Sequence, residues 1–128
     1  MIVVDASAII AVMLKERGYE RVADVIAHAD ACRISPATLL EVTMVMSRTL
    51  SDPKGDVDVY LRETSISLSP VDANQAEIAQ MAFLNFGKGR HKARLNIGDC
   101  FSYAAAKALN APLLYVGDDF AKTDIRTA

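Results

Sequence analysis

The stretch Ile2-Val3-Val4-Asp5-Ala6-Ser7-Ala8-Ile9-Ile10-Ala11-Val12-Met13-Leu14 decides the fold. Three β-branched residues make a short apolar run that stops on an aspartate. Helical character follows from Ala8 to Leu14, with Ser7 in the capping position. A strand that feeds directly into a helix is the unit from which parallel α/β sheets are built.

The same alternation continues outward from this stretch. A helix is predicted over Tyr19 to Ala29, a brief strand near Cys32 to Ile34, and a helix announced by Ser35 as cap and Pro36 at its first position. Asp52-Pro53-Lys54-Gly55 reads as a break, followed by a helix over Val57 to Glu63 and a strand around Ile66 to Leu68. Asp72-Ala73-Asn74-Gln75 has capping-box spacing and opens a helix to about Phe86. Gly87 to Arg94 reads as a loop, Asn96 to Leu109 as a helix, and Leu113 to Val116 as a strand leading to Gly117-Asp118-Asp119.

The expectation is therefore one α/β domain over residues 1–128, a short parallel sheet flanked by helices. Its 128 residues suffice for one core, and no repeat or low-complexity segment divides them. With 52% hydrophobic and 23% charged residues, a disordered or polyelectrolyte chain is excluded. No apolar run approaches the roughly 20 residues of a spanning helix, and the start lacks the basic region and cleavage site of a signal peptide. These features predict a cytoplasmic protein without a membrane partner. Cys32 and Cys100 are isolated from each other and from any Cys/His cluster, so they read as buried free thiols rather than zinc ligands or a disulfide.

Function is carried by the acids. In open parallel sheets ligands bind beyond the carboxyl ends of the strands, where Asp5 and Asp118 are expected. Glu41 is the only charged residue between Arg33 and Arg48, set among Leu39, Leu40, Val42, Met44, Val45 and Met46. A carboxylate there is costly unless it is compensated. Asp99 opens another apolar helix.

Each acid alone has an ordinary structural explanation. Asp5 ends a strand, Asp118 sits in a turn, and Asp99 completes a capping box with Asn96. Four carboxylates in one crevice, however, repel one another and call for a cation. Oxygen ligands without cysteine or histidine select a hard ion, Mg²⁺ or Mn²⁺. Such an ion supports phosphodiester hydrolysis. Ser7 is better placed to cap a helix than to touch a ligand.

Net charge is −2, so no global basic signature marks a nucleic-acid binder. Locally, no acid occurs between Glu77 and Asp99, and Lys88, Arg90, His91, Lys92 and Arg94 fall together. Because they precede Asp99 closely, Lys88, Arg90, Lys92 and Arg94 are the expected grip on the phosphates of the substrate.

Four segments carry a family resemblance: Val3-Val4-Asp5-Ala6-Ser7-Ala8, Ser35-Pro36-Ala37-Thr38-Leu39-Leu40-Glu41, Leu95-Asn96-Ile97-Gly98-Asp99-Cys100 and Leu114-Tyr115-Val116-Gly117-Asp118-Asp119-Phe120. In order and spacing the chain resembles the PIN-domain ribonucleases, in particular the VapC toxins of toxin-antitoxin pairs. The resemblance implies a PIN-like three-layer sandwich and an endoribonuclease that leaves a 5′-phosphate and a 3′-hydroxyl. It further implies Asp5, Glu41 and Asp99 as core acids, with Asp5 and Asp99 as the main metal ligands and Glu41 orienting water or a second ion. A homodimer silenced by a cognate antitoxin is implied as well. The fourth acid is placed at Asp118, with Asp119 and Asp124 as neighbours that also qualify.

Two other readings compete. A phospho-acceptor domain also uses a strand-end aspartate, but Ser7 stands where the phosphatase motif has its second aspartate, and Asp5 lacks the receiver's acidic companion. A catalytically inactive PIN scaffold would bind RNA or a partner only, and gives no reason to tolerate the crowded acids.

Overall fold

The computed structural model describes residues 1–128. Its sheet has four parallel strands, β1 (Ile2–Val4), β2 (Cys32–Ile34), β3 (Ile66–Leu68) and β4 (Leu113–Leu114), in the order β3-β2-β1-β4. Six helices surround it: α1 (Ala6–Met13), α2 (Tyr19–His28), α3 (Pro36–Met46), α4 (Pro53–Glu63), α5 (Ala73–Phe86) and α6 (Ile97–Ala108).

The central strand shows why this is a three-layer structure. All three residues of β1 are buried, as befits a parallel strand covered on both faces. Because side chains alternate across a strand, Ile2 and Val4 enter one core and Val3 the other. The first core joins them to Ile9, Val22, Ile26, Val42, Met46 and Val57 from α1 to α4. The second packs Val3 and Leu113 against the small-residue face of α6, Ala104-Ala105-Ala106, and against Ala79 and Ala82 of α5. Small residues on α6 let that helix lie close to the sheet.

Four local expectations are corrected. Helix α1 starts at Ala6 and is capped by Asp5, whose Oδ2 accepts from Ser7 N at 3.0 Å, so Ser7 is not the cap. Asp52-Pro53 is a helix start rather than a break: Asp52 caps α4 by accepting from Gly55 N, and Pro53 takes the first turn. Asp72 caps α5 through Gln75 N, but the Gln75 amide donates to Pro70 O instead of closing the box. Finally, β4 ends at Leu114, because Val116 N donates to a side chain and Gly117 turns the chain with φ +104°. Asp118 therefore lies in an exposed turn and does not end a strand.

Cys32 and Cys100 are buried free thiols, as expected. No helix is long and apolar enough to cross a membrane.

Candidate active site

The carboxyl ends of β1 and β2 release the chain into α1 and α3, and α6 begins at the same end of the sheet. Asp5 is 3% exposed at the start of α1. Its Oδ2 accepts from Ser7 N and from Ser7 Oγ at 2.7 Å, while its buried Oδ1 has no partner. Ser7 Oγ in turn accepts from Val116 N at 3.0 Å, which ties the segment after β4 to the head of α1. The serine thus orients Asp5 and anchors the segment that follows β4, a role its place in the sequence does not disclose.

Glu41 is brought in by the packing of α3 on α6. Thr38 and Ser102, both fully buried, share a hydrogen bond of 3.3 Å between the two helices. One turn on in α3 and one turn back in α6, the Glu41 carboxylate lies against Gly98, where a Cβ would stand only 2.8 Å from Glu41 Cδ. Glu41 Oε2 is buried and has no partner. Burial pushes the Glu41 carboxyl up to about 7, and the charges of Asp5 and Asp99 add to the rise.

Asp99 does complete the capping box with Asn96: Asn96 N donates to its Oδ2 at 3.0 Å and Asp99 N donates to Asn96 Oδ1 at 2.9 Å. The structural explanation and the coupling to the other acids hold together. Burial raises the Asp99 carboxyl to about 6 against the lowering by the Asn96 hydrogen bond, and Asp5 and Asp119 raise it further. Asp119 therefore belongs to the same electrostatic neighbourhood. Asp124 is committed elsewhere: it accepts from Tyr103 Oη at 2.6 Å and from Lys107 Nζ at 2.9 Å, which hold its carboxyl below the usual range against a desolvation that raises it.

The donor set fits a hard cation. Two buried carboxylate oxygens, Asp5 Oδ1 and Glu41 Oε2, have no protein partner, and such atoms are costly without one. No three His, Cys, Asp or Glu side chains are drawn tightly enough to enclose an ion by themselves. Mg²⁺ does not need that, since it binds through one or two carboxylates and keeps several waters.

Lys88, Arg90, Lys92 and Arg94 are exposed on a compact loop before α6. The loop is pinned by Lys88 N donating to Leu95 O and Leu95 N to Phe86 O, and by Arg90 Nε donating to Leu84 O. None of the four takes part in either of the protein's ion pairs, Lys54–Asp58 and Lys107–Asp124.

Residues 2–126 match the PIN domain family. The chain belongs to the PIN-domain VapC ribonucleases. It is 40% identical over 124 residues to Ribonuclease VapC of Mycolicibacterium smegmatis, covering 96% of each chain. It is 42% identical over 127 residues to Ribonuclease VapC30 of Mycobacterium tuberculosis, covering 98% of this chain and 96% of that one. In fold it is similar to the crystal structure of M. tuberculosis VapC20, a sarcin-ricin-loop-cleaving toxin, with a TM-score of 0.79 at 17% identity over 100% of this chain and 98% of that one. Membership in this family makes the protein a nuclease of the hydrolase class, and the phospho-acceptor reading falls with it.

Proposed function

We propose that this VapC ribonuclease is the toxin of a toxin-antitoxin pair and hydrolyses RNA phosphodiesters at Asp5, Glu41, Asp99 and Asp119 with Mg²⁺ or Mn²⁺. The single observation that carries the reading is the pair of partnerless buried oxygens on Asp5 and Glu41, beside two carboxyls, Glu41 and Asp99, that burial and the neighbouring acids raise. Asp119 takes the place expected of Asp118, because its charge is the one that reaches Asp99. When bound, the ion supplies charge neutralisation for the phosphate and an activated water. Asp5 and Asp99 hold it. Glu41, with Oε2 free, orients the attacking water, and Ser7 keeps the Asp5 carboxylate in place. Incubation with total RNA, with Mg²⁺ or with chelator, tests the reading: metal-dependent fragments are expected, and intact RNA in both arms overturns it.

Metal binding has a thermodynamic counterpart. The folded Glu41 and Asp99 bind protons more tightly than ordinary carboxyls, so without metal the folded state loses stability as pH rises from about 4 to about 7. Mg²⁺ binds the ionised form, so its stabilisation grows over that same window. The expected result is a rise in Tm with Mg²⁺ or Mn²⁺ at pH 7.5 and little at pH 5. A melting curve indifferent to both ions at pH 7.5 counts against the site.

The loop carrying Lys88, Arg90, Lys92 and Arg94 is proposed as an RNA contact that offsets repulsion between the acids and the substrate phosphates. Replacing Arg90, Lys92 and Arg94 with Ala is expected to weaken RNA binding and flatten its dependence on salt, with the Mg²⁺-induced Tm shift retained. An unaltered slope makes the loop a solvated surface.

A homodimer and a protein antitoxin are proposed as partners. Leu40 and Met44 on α3 and Met81, Phe83 and Leu84 on α5 are exposed apolar side chains that such partners would cover. Light scattering at micromolar concentration is expected to give twice the chain mass, and a monomer removes the dimer.

A further inference from the structure

A second feature lies on the face of the sheet covered by α1 to α4, whereas the basic loop packs into the core on the other face. A cleft of about 380 Å³ opens between α2 and the segment after β4, with Arg17 and Arg21 on one side and Tyr115, Val116 and Gly117 on the other. Both arginines are exposed, and neither takes part in an ion pair or a side-chain hydrogen bond within the protein. Their guanidinium groups are thus available to an anion. The floor is different in character: Val22, Val25 and Leu114 line it with apolar surface.

The cleft and the acid site share a wall. Val116, which lines the cleft, donates its N–H to Ser7 Oγ, and Ser7 Oγ donates to Asp5 Oδ2. Two hydrogen bonds separate the wall of the cleft from the Asp5 carboxylate. A strand whose scissile phosphate lies at Asp5 has its neighbouring nucleotide within reach of this opening.

We propose that the cleft binds a nucleotide flanking the scissile phosphate, with its phosphate held by Arg17 and Arg21 and its ribose and base against the apolar floor. The proposal deepens the ribonuclease reading and rests on it. Three observations favour a nucleotide over other ligands. The volume suits a group of that size, the two unpaired guanidiniums on the rim carry the charge and donors that a phosphate takes, and the mixture of cationic rim and apolar floor matches a nucleotide's two halves. A cation is disfavoured by the same arginines. Such a subsite makes the bound strand cross the acids between two cationic anchors, and it fixes which linkage stands over Asp5.

The test uses the full chain and a fluorescent single-stranded oligouridylate of twelve residues, with chelator present so that no cleavage occurs. Affinity is measured at several salt concentrations. For single strands each phosphate contact contributes about 0.7 to the slope of log K against log salt. Arg17→Ala with Arg21→Ala is expected to lower the slope by about 0.7 and weaken binding several-fold at low salt, while Arg17→Lys with Arg21→Lys keeps the slope. An oligomer containing 4-thiouridine is expected to cross-link to residues 114–117 in the unaltered protein and much less in the double alanine variant. An unaltered slope, cross-links confined to residues 88–94, or no binding of the oligomer by the unaltered protein at low salt overturns the subsite. Failure of the nuclease reading looks different: total RNA stays intact with Mg²⁺ whatever the slope shows.

Discussion

Asp99→Asn is expected to abolish metal-dependent RNA cleavage, by about a hundredfold or more, while the protein folds as before and melts no lower at pH 7.5 without metal. The two halves of that expectation have separate causes. Activity is expected to fall because the variant loses one of the two carboxylates proposed to hold the ion, on the scale of removing one preorganised electrostatic group. Stability holds because the Asn side-chain oxygen still accepts from Asn96 N, which preserves the capping box.

The pH dependence of this variant separates the causes further. Asp99 is raised to about 6 in the folded state, above its ordinary 3.8, so the folded protein pays a cost for ionising it that grows as pH climbs through this interval. Asparagine has no such cost. The gain in Tm over the unaltered protein is therefore expected at neutral pH and shrinks to a small remainder near pH 4, where the folded aspartate is protonated and the unfolded one is near its midpoint. Asp5→Asn is expected to lose activity to the same degree and to keep α1 capped, whereas Asp5→Ala also forfeits the cap, at about 1 kcal/mol. Initial rates on total RNA, set beside circular-dichroism melts at pH 4 and 7.5, check both. Cleavage by Asp99→Asn at the unaltered rate removes it from the site.

What the sequence discloses about this protein follows a physical pattern. The first strand is legible because a buried parallel strand is written as a short β-branched run, Ile2-Val3-Val4, whereas Cys32-Arg33-Ile34 holds a single β-branched residue and is placed by the helix start that follows it. Ser35-Pro36 is equally plain, since a capping hydroxyl followed by proline at the first helical position has few other uses. Asp52-Pro53 carries the same kind of signal, yet the adjoining Lys54-Gly55 masks it. Asp5 and Ser7 are ambiguous for a better reason. Both residue types cap helices, and only the bond from Val116 N to Ser7 Oγ, across 109 residues of chain, commits the serine to another task.

The same limit governs the site. Glu41 stands out locally, as a charge in an apolar helix, but nothing local says that it meets Gly98 and Asp99. That meeting depends on the Thr38–Ser102 contact between α3 and α6. The choice among Asp118, Asp119 and Asp124 turns on where β4 ends and on what Tyr103 and Lys107 bind, neither of which adjacent residues encode. Residue type and spacing announce the chemistry, and long-range packing selects the partners.

Gly98→Ala is the substitution for which packing and helix propensity pull in opposite directions. Gly98 is helical, in the first turn of α6, where alanine is favoured over glycine by up to about 1 kcal/mol. The three atoms nearest a Cβ at this position are the Oε2, Cδ and Oε1 atoms of Glu41. These are the far end of a flexible side chain, so Glu41 can swing away without disturbing α3 or α6. The fold is therefore expected to survive with Tm nearly unchanged, and the Mg²⁺-induced rise in Tm is expected to persist because Asp5 and Asp99 are untouched. Cleavage is expected to fall roughly a hundredfold, the scale on which displacing a positioned group by about 1 Å slows an enzyme. The loss should appear in kcat more than in KM, since Glu41 is assigned to the attacking water rather than to RNA binding. Glu41→Gln should cost a similar factor, and the double variant Gly98→Ala with Glu41→Gln little more than either, because both changes remove the same function. Full activity in Gly98→Ala, or fully additive losses in the double variant, would mean that Glu41 does not act from the position its packing against Gly98 gives it.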